Sequence, residues 1–564
     1  WDDYDRALIS EGGGVWPRTA KSIPLSPQAR DAVGVDAEQL TPSELIQALL
    51  RAPVDLLWNG GIGTYVKASA ETHADVGDRA NDGLRVNGAD LRCRMVGEGG
   101  NLGFTQRGRV EYSLAGGLIY TDAIDNSAGV DCSDHEVNIK ILLGLAMEDG
   151  RLDIEARNEL LVEMTDEVGE LVLDDNRAQT LALAIARRQA MPMINVHSRY
   201  LNLLEAEGWV NRSLEFLPTD RQMAERQATG QGLTTPEFAV LLAYTKSANV
   251  TELTRSKLPD DPYLIPDLVN YFPQRLREEY RDLILQHRLR REIVATCVCN
   301  HLVNMAGISF DHRMAEETGV PVVDITRAWL AARDILDLDE LWGQVDDLTG
   351  HVKFDIQLEL FLELRSLGER ASLWLLRHRG IPLDIGAAVS DFRDGIQELV
   401  RLEGSLRGRL RDEAFAAEAR RLAAGVPERL AQRSAQWSLL HTTFDMVELA
   451  RHTGYPLDLV CATYFHVFDV LDVTWLWDAI GGLPRSDRWQ TQARSALRDD
   501  LLTALADNTA EALKCGGVAQ WQATNQLLIS RALGMFTQLR RVDAHDLTTA
   551  SVAVRQLRNL ALLS

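Results

Sequence analysis

Apolar and polar positions follow two different rhythms along this 564-residue chain. Over residues 54–58, 92–97 and 118–121 the apolar side chains come in short runs bounded by glycine, the pattern of brief buried strands. Ahead of the first run, Thr41-Pro42-Ser43-Glu44 is a capping box with proline at the first helical position, which predicts a helix from there to about Arg51. Segments that can be helical precede the other two runs as well. Strand–helix alternation of this kind is the signature of a parallel α/β sheet. From about Arg151 the rhythm changes, and Leu, Ala, Arg and Glu recur at three- and four-residue spacing. Helices are predicted there, one opened by Thr234-Thr235-Pro236-Glu237 and others at 324–336 and 412–422.

Glycine follows the same division, with 20 of the 41 glycines in residues 1–150. The front is therefore turn-rich and the back is not. Residues 1–150 read as one domain and 151–564 as a helical domain long enough for two lobes. Three polar loops leave the carboxyl ends of the expected strands: Asn59-Gly60-Gly61-Ile62-Gly63-Thr64, Glu98-Gly99-Gly100-Asn101-Leu102-Gly103 and the stretch from Asp122 to Gly129. That edge of an open α/β sheet is where ligands bind.

Charge narrows the partners. With 59 basic and 82 acidic side chains the net charge is −23, which argues against an extended nucleic-acid surface or an anionic membrane. No apolar run approaches the ~18–20 residues that span a bilayer, and the N-terminus lacks the pattern of a signal peptide. A cytoplasmic protein is expected, its six cysteines free thiols. The chain opens at Trp1 rather than methionine and runs into Asp2-Asp3-Tyr4-Asp5, which suggests a piece of something longer. Lysine is scarce, 7 against 52 arginines, so lysine-dependent chemistry has few candidates.

Each motif also admits a plainer structural role. Gly61-Ile62-Gly63-Thr64-Tyr65-Val66 resembles the opening of GxGxxG, but Val66 occupies the third glycine position, which argues against the dinucleotide fingerprint. A loop that brings backbone close to a ligand fits better. In Glu98-Gly99-Gly100-Asn101 two glycines clear a strand end while Asn101 offers a donor and an acceptor, as a ribose or carboxamide edge requires; a ligand-free Asn/Gly turn is the alternative. Ser133-Asp134-His135 is no hydrolytic relay, because consecutive helical residues point in different directions. Cys132, His135 and Glu136 lack a matching partner for zinc, and no metal is expected. Ser133 with Glu136 three residues later reads as a capping box that starts a helix toward Met147, whose N-terminus could also meet a carboxylate. Cys297 and Cys299 read as buried helical residues, and Arg288, Arg290, Arg291 and Glu292 as a solvated face.

Together the residues point to a family. Val54 to Tyr65, Val76-Gly77-Asp78-Arg79-Ala80-Asn81-Asp82, Val96 to Gly103 and Ile124 to Lys140 closely resemble the large bacterial NAD-specific glutamate dehydrogenases. The likeness extends through 233–244, 258–262 and 289–292 and fades after about residue 380. It implies the C-terminal portion of such a protein: an α/β part followed by an all-α part. Residues 1–150 would be the C-terminal half of a Rossmann-like NAD-binding domain with a partial parallel sheet. Residues 151–564 would be a helical C-terminal domain.

The resemblance also implies site residues. Glu98, Gly99 and Asn101 stand where the family's Glu-Gly-Ala-Asn contacts the cofactor NAD, and Asn59, Gly60 and Gly61 join them as cofactor-binding residues. Asn126 would sit near the nicotinamide, Gly129 and Val130 would line the substrate pocket, and Ser133 would bond the side-chain carboxylate of L-glutamate. Ser127 and Ala128 depart from the family's Ala-Gly at the centre of this motif. The family's catalytic lysine sits in a glycine-rich context and works with an aspartate. No lysine here is followed by glycine, so that pair and the phosphate-binding turn are expected upstream. The implied reaction yields 2-oxoglutarate and ammonium, and the fragment alone is expected to be inactive. A homo-oligomer is expected. The alternatives are a helical assembly module without chemistry of its own, and an NAD- or nucleotide-binding α/β enzyme of another specificity.

Overall fold

A computed structural model describes residues 5–400, 404–485, 487–541 and 546–563. The opening residues Trp1, Asp2, Asp3 and Tyr4 lie outside the described residues. The chain divides into two compact units, Trp1–Thr254 with Leu264–Ile308, and Arg255–Tyr263 with Ser309–Ser564.

The first unit opens with six short strands: β1 (Ile23–Pro24), β2 (Gln39–Leu40), β3 (Leu56–Asn59), β4 (Val66–Lys67), β5 (Val86–Asn87) and β6 (Met95–Glu98). β1 pairs antiparallel with β2, whereas β3 with β6 and β4 with β5 are parallel pairs. The expected helix at Thr41 is present as Pro42–Leu50, and its capping box is complete. The expected strand at 118–121 is not formed. Leu118 makes a single bridge to Met95, after Gly116 has turned the chain with φ +101°. Gly117 abuts the Tyr112 ring, where a Cβ would lie 2.2 Å from ring carbon, and Thr121 already flanks the helical turn Asp122–Asp125. One residue of ladder is all that this geometry leaves.

Because β3 and β6 are parallel and Asn59 stands opposite Glu98, the loops after them leave the same edge. Gly100 donates its N–H to the Asn59 carbonyl at 3.0 Å, which ties the two loops together. A Cβ at Gly100 would fall 2.5 Å from the Gly61 carbonyl oxygen, and one at Gly99 would fall 2.5 Å from the Trp58 ring. Loop-to-loop packing therefore demands both glycines. Beneath the loops, Val66, Val86, Cys93, Val96, Phe104, Tyr112 and Ile119 form a buried cluster.

The rest of the first unit is helical. Ser127–Glu148, Thr165–Arg188, Thr235–Arg255 and Arg290–His301 are the helices that reach the site. The first begins at Ser127 with Asn126 at the N-cap position, six residues before the start expected at Ser133. Asn176 explains the earlier start: its Nδ2 donates to the Ser127 hydroxyl at 2.9 Å and to the Ile124 carbonyl at 2.8 Å, fixing the turn there. Ser133 thus lies inside the helix, and its hydroxyl donates back to the Gly129 carbonyl at 3.3 Å instead of capping. Glu136 bonds Lys140 one turn on, and so closes no capping box.

The second unit is entirely helical among its described residues. The segments expected at 324–336 and 412–422 lie within Val322–Leu336 and Gly408–Ala423. Trp329 and Phe361 are among its largest fully buried side chains, and Gly368 lets the Trp329 ring approach. The Pro-rich turn begun at Leu258 is anchored in this unit, with Tyr263 donating to Asp334 Oδ2 at 2.5 Å and Arg327 to Asp261 Oδ2 at 2.7 Å. Among the described residues no single helix is long and apolar enough to cross a membrane. All six cysteines are free.

Candidate active site

The site starts from a buried ion pair. Arg109, on the helix Gln106–Leu114, donates to Glu98 at the end of β6 and reaches Asp122 at 3.1 Å. Asp122 Oδ2 in turn accepts the Leu102 N–H at 2.8 Å, and Asp125 Oδ2 accepts the Glu98 N–H at 2.8 Å. Carboxylates therefore clamp both ends of the 98–102 loop. Burial pushes Asp125 up to about 6, against the pull of the Glu98 N–H and Arg109.

Beside this loop lies a cavity of about 650 Å³ within the first unit. Asn101, Asp122 and Ala123 line it from the loop side, and Asn126, Ser127, Gly129, Val130, Asp131 and Asp134 from the following helix. Asp175 and Gln179 enter from Thr165–Arg188, Lys246 from Thr235–Arg255 and Asn300 from Arg290–His301. Asn126 Nδ2 donates to Asn101 Oδ1 at 3.0 Å. That bond leaves Asn101 Nδ2 and Asn126 Oδ1 without protein partners among the described residues. A free donor next to a free acceptor complements a primary carboxamide, the polar group of nicotinamide.

The far wall is acidic. Burial raises Asp131 to about 6, with Asp175 and Asp134 adding to the rise and Lys246 opposing it. Burial likewise raises Asp175 and lowers His135, whose ring stacks on Tyr271 at 4.5 Å. Asp131, His135 and Asp175 bring ligand-type atoms within 4.8 Å of one another. Lys246 is the cation acting on both aspartates, and burial lowers its own pKa to about 8.

The sequence-predicted residues divide between cavity and scaffold. Asn101, Asn126, Gly129 and Val130 meet at the cavity. Asn59, Gly60 and Gly61 lie on the neighbouring loop, where Asn59 Oδ1 accepts the Gly61 N–H at 3.4 Å. The Glu98 side chain is turned inward onto Arg109, and Gly99 is packed against Trp58. Ser133 is exposed on the helix beyond the lining. Sequence reasoning missed Asp131, Asp175, Gln179, Lys246 and Asn300. For Lys246 the signal is a single lysine in a helix whose neighbours are mostly apolar, although no glycine follows it.

Residues 230–559 match the family described as glutamate dehydrogenase, C-terminal, and residues 1–186 match the family described as bacterial NAD-glutamate dehydrogenase, catalytic domain. The chain belongs to the bacterial NAD-specific glutamate dehydrogenase family. Over its whole length it is 45% identical to the NAD-specific glutamate dehydrogenase of Pseudomonas aeruginosa, 42% to that of Mycobacterium tuberculosis and 41% to that of Halomonas elongata. It spans 35%, 36% and 35% of the length of these curated relatives. The cavity draws its walls from both matched segments of this dehydrogenase family: positions 101–179 from the catalytic-domain match, Lys246 and Asn300 from the C-terminal match.

Proposed function

We propose that this chain forms the C-terminal portion of an NAD-dependent glutamate dehydrogenase. The reaction converts L-glutamate, NAD⁺ and water to 2-oxoglutarate, ammonium, NADH and a proton. The observation that carries the reading is the Asn101–Asn126 amide pair, which leaves a donor and an acceptor suited to a carboxamide on the wall of a charged cavity. NAD, when bound, supplies the hydride acceptor. The chain's part is to orient the carboxamide through Asn101 and Asn126, to present the 59–61 and 98–101 loops to the rest of the cofactor, and to bound the substrate with Gly129 and Val130. Residues 1–150 act as the second half of a Rossmann-like NAD-binding domain and 151–564 as its helical continuation. The lysine and aspartate of deamination lie upstream, in line with the share of the relatives that the chain covers. A cytoplasmic homo-oligomer acting on small molecules is the setting that this reading supports. The test is NADH formation at 340 nm from L-glutamate: the protein at its full encoded length reduces NAD, whereas this chain alone does not. Absence of glutamate-dependent reduction at full length overturns the reading.

A further inference from the structure

Lys246 is an ammonium lining a cavity with no hydrogen-bond or ion-pair partner among the described residues. A partly buried charge is costly to leave unpaired, and side chains that carry one are normally paired. Lys246 is partly buried on the cavity wall without such a partner, and burial lowers its pKa to about 8. The neighbours that could relieve it, Asp131 and Asp175, act on it from beyond ion-pair distance and are themselves made weaker acids by burial. The wall is therefore split into an anion-seeking point and a cation-seeking pair. A ligand carrying a carboxylate and an ammonium a few bonds apart satisfies both at once; a simple anion or cation satisfies only one.

We infer that Lys246, from the C-terminal family segment, binds a carboxylate of the amino-acid substrate, with Asp131 and Asp175 turned toward its ammonium group. This rests on the proposed glutamate reaction for the identity of the substrate, and it gives the helical segment a direct part in the site. Ser133 stands outside the cavity lining, so the carboxylate contact inside the cavity falls to the lysine.

The test compares wild type, Lys246→Met and Lys246→Arg at full encoded length. Met keeps the stem and removes the charge, and is expected to raise the KM for L-glutamate about tenfold or more, the range for losing a bond to a charged group. The KM for NAD should stay within about twofold, and Arg should recover most of the loss. L-Norvaline, which lacks the side-chain carboxylate, then tells which carboxylate is held. If its kcat/KM is insensitive to Met, Lys246 holds the side-chain carboxylate; if it falls in parallel with glutamate, Lys246 holds the α-carboxylate. An unchanged glutamate KM in Lys246→Met overturns the inference, as does a parallel rise in both KM values with a lowered Tm, which would mark a structural lysine. Should wild type fail to oxidise glutamate, the functional reading fails separately. Calorimetric titration of wild type and Lys246→Met with 2-oxoglutarate then decides the lysine's role: weaker binding by Met upholds it, and equal or absent binding overturns it.

Discussion

Arg109 holds Glu98 by two charge-assisted hydrogen bonds, Nε to Oε1 at 2.8 Å and Nη2 to Oε2 at 2.7 Å, with both side chains almost wholly removed from water. The pair decides where the loop after β6 stands, because Glu98 closes the strand and its N–H is held by Asp125. Removing one partner strands the other as a buried charge. Arg109→Met is therefore expected to destabilise the fold by about 3–5 kcal/mol, read as a shifted midpoint in urea unfolding. A shift below about 1 kcal/mol would mean that the pair is not fixing the loop.

Asn101 and Asn126 form one hydrogen-bonded pair, and the bond between them aims the remaining donor and acceptor. Asn126→Ala removes the acceptor and frees Asn101 to rotate. At full encoded length it should raise the KM for NAD about tenfold and leave the KM for glutamate closer to wild type. A change confined to glutamate would place the nicotinamide elsewhere.

Ser133 offers a clean discrimination because the structure removes its capping role. Ser133→Ala should change stability by no more than about 0.5 kcal/mol, as for an exposed mid-helix position. If Ser133 bonds the glutamate side chain when the substrate is bound, the KM for glutamate rises severalfold in the same variant. An unchanged KM removes Ser133 from the binding residues.

Much of this was legible in the chain itself. The capping signals at Thr41 and Thr234 are local devices: the box at Thr41 is complete, and at Thr234 the Glu237 carboxylate accepts from the threonine N–H and hydroxyl. The glycine loops were legible as loops, but their packing was not: Gly99 and Gly100 answer to Trp58 and Gly61, some forty residues away. The helix at 126 started earlier than its local signal because Asn176, fifty residues on, anchors Ser127. Lys246 and Asp175 reach the cavity only through the packing of separate helices, which no local spacing encodes.

Asp131 carries a stability cost with a definite pH dependence. Burial in the folded chain pushes its carboxyl from the ordinary 3.8 up to about 6. Between these values the folded state binds more protons, so this group's contribution lowers stability as pH rises, and the cost is complete above about 6. Asp131→Asn should accordingly melt at a higher Tm than wild type at pH 8, with the difference closing toward pH 4. A variant less stable at pH 8 would show that Asp131 is held by a partner stronger than Lys246.

The proposed meeting place of NAD and the substrate is the cavity lined by the 98–102 loop, the Ser127–Glu148 helix and Lys246. Amide hydrogen exchange of the protein at full encoded length, with and without NAD and 2-oxoglutarate together, tests it most directly. Slowed exchange in peptides covering 98–103, 122–131 and 244–248 is the predicted result. Unchanged exchange there, with protection appearing instead in residues 309–564, would contradict it.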